Sequence, residues 1–234
     1  MLTQTAQRND AIRRAAPATR SVAPVAVTAT ERRPLDETMH LMGATMSYPR
    51  NTEIFGENEP ADYLYRVVSG SVRTYKILND GRRQIGGFYL PGDIFGLEFS
   101  DEHTLSAEAI TDTKVQVIKR SAIDALAGRN AGIARELFTL TGHELQRVQE
   151  RIMLLVKSAQ ERVAGFLLEM ADRGAAGNSV ELPMSRQDIA DYLGLTIETV
   201  SRTLSGLETA AAIEVPTSRR IVLRNRSALN RLNS

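Results

Sequence analysis

The sequence predicts an α+β fold in three parts, and three observations carry that reading. Between Gly43 and Lys119 short β-like runs alternate with glycine turns, the rhythm of a sandwich, barrel or jelly roll. After Asn130 a narrow apolar seam recurs at helical spacing over roughly 25 residues. Near the C-terminus two short helical runs meet at a single glycine, Gly194, and two strand-like runs follow. The expected divisions are a tail over 1–34, the β domain over 35–127, the long helix over 128–157 and a small helical domain over 158–234.

In the tail, six Arg face one Asp and one Glu, and large apolar residues are few. Such a segment is expected to stay mobile, with an organelle transit peptide as the alternative. Next, "YLYRVVSGSVRTYKIL" places Gly70 between two alternating runs, and Asp80-Gly81 follows. Asp-Gly between such runs predicts a hairpin with a type I′ turn, which needs positive φ at both central residues. "QIGGFYLPGDIFGLEF" and "AEAITDTKVQVI" continue the strand rhythm, and Ser121 opens a short helix to Ala127.

The long helix, capped by Asn130, carries Ile133, Leu137, Leu140, Leu145, Val148, Ile152 and Leu155, with one five-residue step after Leu140. A seam so long and narrow is expected to pair with a second copy, making a homodimer; packing on the chain's own β domain is the alternative. From Ser158, "AQERVAGFLLEMADR" reads as an amphipathic helix ending before Gly174. Further helices open at Ser185 and Thr196, and "AAIEVPTSRRIVLRN" reads as two strands around a Pro-Thr-Ser turn, a wing.

Composition excludes several classes of function. The chain has 29 Lys and Arg against 28 Asp and Glu, so any basic surface must be local. No run approaches the roughly 18 consecutive apolar residues of a membrane span, and the N-terminus lacks the apolar core of a secretory signal. A cytoplasmic protein with no membrane partner is expected. Absence of cysteine excludes disulfides, thiolate-held zinc and thiolate-held iron–sulfur clusters. His40, His103 and His143 lie far apart without metal-ligand spacing, and GxSxG, P-loop and GxGxxG motifs are missing. The chain reads as a non-enzyme without metal or cofactor.

The C-terminal helices carry the function. Ser185 followed by Asp188 forms a capping box, with Asp in place of the usual Glu or Gln. Ala190 is small where two helices must cross, Gly194 permits the tight turn, and Val200 fills the shared core. This is a helix–turn–helix, with an ordinary helical hairpin as the bland alternative. Glu198, Ser201 and Arg202 fall at i, i+3 and i+4 on the second helix, near the end that enters a major groove. Arg donates bidentately to guanine O6 and N7, and a carboxylate accepts from cytosine N4. An acid facing phosphates is repelled, so Glu198 makes sense as a base reader; a surface ion pair with Arg202 is the competing role. Arg186, Arg219 and Arg220 are expected to hold the DNA backbone.

"MSRQDIADYLGLTIETVSRTL", the wing and the β domain with "SGSV…PGDIFG" resemble the CRP/FNR superfamily of bacterial transcription regulators, the FixK subgroup in particular. The resemblance spans roughly residues 40–230. It implies a cyclic-nucleotide-binding-type β-roll, a long dimerisation helix and a C-terminal winged helix–turn–helix. It makes Glu198, Ser201 and Arg202 the readers of a TTGAT-type half-site, and places Ser185, Arg186, Thr196 and Thr199 where phosphates are contacted. The CRP branch has Arg where this chain has Ile197 and Gly where it has Ser201, and both departures point to the FNR-like half-site. The implied partners are palindromic double-stranded DNA, RNA polymerase and a second copy of the chain. A homodimeric activator is expected. A repressor or dual regulator gated by nucleotide or haem, and a cyclic-nucleotide-binding signalling module without DNA binding, are the alternatives.

In CRP-like members the cyclic phosphate meets an Arg followed by a small hydroxyl residue, shortly after a Gly-Glu pair. Here Gly96-Leu97-Glu98 stands at that place, with no Lys or Arg from Gln84 to Ile110. His103, beside Asp101 and Glu102, is the only cation expected there. Burying an unpaired charge costs several kcal/mol, so nucleotide binding is disfavoured. The N-terminal cysteine cluster of FNR is absent, and nothing around the three histidines favours haem. Control by abundance or modification is what the resemblance leaves.

Overall fold

The computed structural model describes residues 34–233 except Phe99, Leu155 and 175–176. The expectations for the tail and for Leu155 lie outside the described residues. The described residues begin with a helix that the sequence does not announce, α1 (Pro34–Met42), whose Leu35 and Met39 are fully buried.

Eight strands follow among the described residues: β1 (Ala44–Tyr48), β2 (Glu53–Phe55), β3 (Tyr63–Ser69), β4 (Val72–Ile77), β5 (Arg83–Tyr89), β6 (Ile94–Phe95), β7 (Ser106–Ala109) and β8 (Thr113–Lys119). They form two four-stranded antiparallel sheets, ordered β1-β8-β3-β6 and β2-β7-β4-β5. Both sheets send side chains inward to one core: Tyr65, Val67, Phe95 and Val115 from the first, Phe55, Val72 and Ala107 from the second. At the β3–β4 turn, Gly70 has φ +83°, and a Cβ there would lie 2.4 Å from the Asp112 carbonyl oxygen. Only glycine fits.

The β4–β5 hairpin forms, but its turn is not type I′. Gly81 N donates to Leu78 O and Leu78 N to Arg82 O, both at 2.8 Å. Gly81 alone is left-handed, at φ +82°, which is a type I turn closed by a left-handed glycine. The Asp80 carboxylate accepts from Arg82 N and Nε, a local bond that holds Asp80 at negative φ.

Two helices come next, α2 (Arg120–Ala127) and α3 (Ala131–Leu154). Asn130 Oδ1 accepts from Gly132 N and Ile133 N, the expected cap. The expected seam divides at its five-residue step. Ile133 is buried, and Leu137 and Leu140 pack with it on Leu35, Met39, Leu64, Ile118 and Ile123. These three therefore join the protomer's own core. On another face of α3 an exposed apolar stripe runs through Phe138, Leu145 and Ile152, seven residues apart, flanked by Val148. Phe138 is 80% exposed and was not anticipated.

The C-terminal part comprises α4 (Ala159–Arg173), β9 (Ser179–Glu181), α5 (Arg186–Leu193), α6 (Ile197–Thr209), β10 (Ile213–Thr217), β11 (Arg220–Leu223) and α7 (Arg226–Asn233). Ser158 and Glu161 close a capping box at the start of α4. The wing is a three-stranded sheet, β10-β11-β9, and α7 follows it; β9 and α7 were not anticipated. Pro216 lies inside β10, so the turn falls at Ser218-Arg219 instead of Pro-Thr-Ser. Val163, Leu167, Ile189, Val200, Leu204 and Ile221 form the core here, and Ile85 and Phe88 of β5 join it. No helix among the described residues is long and apolar enough to cross a membrane.

Candidate nucleic-acid interface

The helix–turn–helix is set by local chemistry. Ser185 Oγ accepts from Asp188 N at 3.1 Å and Asp188 Oδ2 accepts from Ser185 N at 2.9 Å, so both halves of the capping box are made. At the other end of α5, Gly194 is left-handed at φ 64°, and both its N–H and that of Leu195 bond to Ala190 O. Arg162 Nη1 donates to Leu193 O at 3.0 Å, placing a cation at the helix C-terminus. Ala190 and Val200 are wholly buried where the helices cross. Thr196 Oγ1 accepts from Thr199 N at 3.2 Å and opens α6.

One side of α6 is buried through Val200, Leu204 and Leu207. Glu198, Ser201 and Arg202 are exposed near its N-terminus. Ile197 is exposed beside them, one turn before Ser201. In the sequence it stands out only as a departure from the CRP branch, although an apolar side chain on an otherwise polar helix face is itself a signal. Such a residue can contact a thymine methyl. The Glu198 carboxyl is held below the usual carboxylate range by its own backbone N–H, by the Thr196 hydroxyl and by the charge of Arg202. It is therefore an ionised acceptor at neutral pH. Among the described residues Glu198 and Arg202 form no ion pair within 4.0 Å.

Ser185, Arg186, Thr196 and Thr199 stand at the N-terminal ends of α5 and α6, where backbone N–H groups favour anions. Ser185 and Thr196 are exposed and Thr199 half-buried. Arg186 is half-buried, with Nη1 enclosed and unpartnered, and desolvation lowers its pKa. Its guanidinium thus lies against the protein instead of reaching into solvent. On the wing, Arg219 is exposed in the turn, while Arg220 Nε donates to Ser179 Oγ at 3.2 Å and is tied to β9.

Inside the roll, Phe55 stacks on the His103 imidazole at 3.6 Å between centroids, and Tyr65 stacks on Phe95 at 5.1 Å. His103 is 1% exposed, with Nδ1 3.3 Å from Glu98 Oε1. His103 is not the only basic side chain to reach this region, although the sequence segment offers no other. Arg120 reaches in from the start of α2, donating to Gly96 O at 3.1 Å and Ser100 O at 3.2 Å and passing 4.0 Å from Glu98. It lies ten residues beyond Ile110, and only the fold brings it here. Among the described residues no group of three His, Cys, Asp or Glu could hold a metal ion.

A β-roll joined by a long helix to a winged helix–turn–helix defines a class of DNA-binding regulator. Residues 45–130 match the cyclic nucleotide-binding domain and residues 161–232 the Crp-like helix-turn-helix domain. The nitrogen fixation regulation protein FixK of Azorhizobium caulinodans is 51% identical over 199 residues, covering 82% of this chain and 80% of that protein. The chain belongs to the CRP/FNR superfamily of DNA-binding transcription regulators, as a FixK-like member, and this is not a family of enzymes. The solved structure of FixK2 from Bradyrhizobium japonicum superposes with a TM-score of 0.80 at 52% identity, covering 82% of this chain and 98% of that one. The transcriptional activatory protein AadR of Rhodopseudomonas palustris is 41% identical over 166 residues, covering 69% of this chain and 70% of that protein.

Proposed function

We propose that this protein is a cytoplasmic homodimeric transcription activator that recognises a TTGAT-type palindrome without a cyclic nucleotide, haem or iron–sulfur cofactor. The observation that carries the reading is the exposed face of α6, where Ile197, Glu198, Ser201 and Arg202 stand opposite a fully buried side. Arg202 donates to guanine, Glu198 accepts from cytosine, and Ile197 and Ser201 meet neighbouring bases. Ser185, Thr196, Thr199 and the wing arginines hold phosphates and fix the register, and Arg186 joins them by turning its guanidinium outward.

The stripe of Phe138, Leu145 and Ile152 supports a two-fold dimer, and a two-fold dimer reads a palindrome. The name of the transcriptional activatory protein AadR supports activation, and an activator bound at a promoter acts on RNA polymerase, the partner proposed here. Stacked aromatic rings and the occupied guanidinium of Arg120 support independence from a nucleotide.

The match of residues 45–130 to a cyclic nucleotide-binding domain favours a second reading, a ligand-gated regulator on the same scaffold. A gel-shift titration with a TTGAT-containing palindrome, with and without cyclic nucleotide, separates the two. Tight binding without nucleotide is expected; binding only in its presence overturns the leading reading.

A further inference from the structure

The two carboxylate oxygens of Asp188 face opposite ways. Oδ2 closes the N-cap of α5 through Ser185 N and Oγ, at 2.9 and 2.8 Å. Oδ1 faces the β-roll, where it accepts from Arg73 Nη1 on β4 at 3.0 Å and from Arg83 Nη2 on β5 at 2.6 Å. Arg73 Nη2 continues to Glu108 on β7 at 2.8 Å. Arg83 Nε reaches Asp191, one turn along α5, at 2.8 Å, and Gln84 Nε2 donates to the Asp191 carbonyl at 2.7 Å. The Asp188 side chain is only 3% exposed, so these contacts replace water around its charge. A neutral Gln at this place would close the capping box equally well but would give the two arginines no anion. The junction accounts for the acid.

We infer that Arg73 and Arg83 are positioning residues of the DNA-binding surface, supplied by the β-roll and not by the helix–turn–helix. The inference rests on the DNA-binding reading above. Ser185 and Arg186 begin the helix that meets phosphate, and a bare carboxylate three residues on repels phosphate. The two guanidiniums neutralise it and fix the first turn of α5. Without them Asp188 is a buried charge without a cation. It must then turn outward toward water, which disrupts the cap and the phosphate contacts built on it. The roll thereby sets the angle at which α5 approaches the duplex.

The test uses the full chain carrying Arg73→Gln and Arg83→Gln, with folding checked by circular dichroism and dimerisation by light scattering. Palindrome affinity is expected to fall about tenfold or more. The plot of log affinity against log salt should become shallower by about one phosphate contact per subunit. Arg83→Lys, which keeps a cation, should retain most of the affinity that Arg83→Gln loses. A loss of stability alone would leave the affinity and salt slope of the folded dimer unchanged. A folded, dimeric double variant with wild-type affinity and slope overturns the inference. Should the double variant not fold, Arg83→Gln decides, because Arg73 still holds Asp188: about threefold weaker binding is expected, and unchanged affinity overturns the inference. A wild-type protein that binds no palindrome overturns the DNA-binding reading and the inference with it.

Discussion

In the β-roll and the first half of α3, side chains able to serve a ligand or partner are already occupied by neighbours. His103 stacks on Phe55, Arg120 donates to two carbonyls, and Ile133 is sealed beneath α1 and β8. In α6, by contrast, a well-packed side supports an uncovered one, and the second half of α3 is largely uncovered among its described side chains. Leu145, Val148 and Ile152 face solvent on α3, and Ile197, Glu198, Ser201 and Arg202 do so on α6. The difference separates side chains that hold the protomer together from side chains available for recognition. Apart from Arg73 and Arg83, which reach the reader through Asp188, substitutions in the first group should change stability and leave recognition intact; substitutions in the second should do the reverse.

The largest effect expected is at the uncovered stripe of α3. Val148→Glu combined with Ile152→Glu should give folded monomers by light scattering and no palindrome shift at concentrations that saturate the wild type. A variant that stayed dimeric would remove α3 as the main interface. The matching substitution on the closed side is Ile133→Ala, expected to cost about 2–5 kcal/mol of stability with dimerisation retained. Urea melts at one protein concentration measure it, since a dimer's stability depends on concentration. Dissociation of a folded Ile133→Ala protein would place Ile133 in the interface after all.

A smaller effect is expected from Thr196→Ala, which removes the α6 cap and should lower stability by about 1 kcal/mol. The smallest is no change at all. A nucleotide at about 100 times its Kd would stabilise the protein by about 2.7 kcal/mol, so millimolar cyclic nucleotide is a sensitive probe of the roll. No shift in melting temperature is expected, and a rise would mean that the aromatic core admits ligand.

The sequence made the reader more legible than the roll, for a physical reason. Ser185, Asp188, Gly194 and Thr196 act on residues three to five positions away, so spacing alone states their roles. Arg120 and Glu98, or Arg73 and Asp188, meet only when distant strands and helices pack, and nothing local announces the pairing. The seam of α3 was legible in part. Its apolar residues were visible, but the five-residue step after Leu140 separates residues packed on the protomer from exposed ones, and spacing alone does not say so. A seven-residue spacing through Phe138, Leu145 and Ile152 was present in the sequence as the better guide. α1 and α7 were missed because short helices are stabilised mainly by what they pack against.

The central claim is that α6 reads bases while the N-terminal ends of α5 and α6 hold phosphates. Binding of wild type, Arg202→Ala and Arg186→Ala to every single-base variant of one half-site tests it directly. Arg202→Ala should cost about 1–3 kcal/mol per half-site on the cognate sequence and erase the preference at one G·C pair. Arg186→Ala should weaken cognate and scrambled DNA alike, with a salt slope lower by about one per subunit. If Arg202→Ala instead weakened every sequence equally and left the preference intact, the recognition face would not be the one assigned to α6.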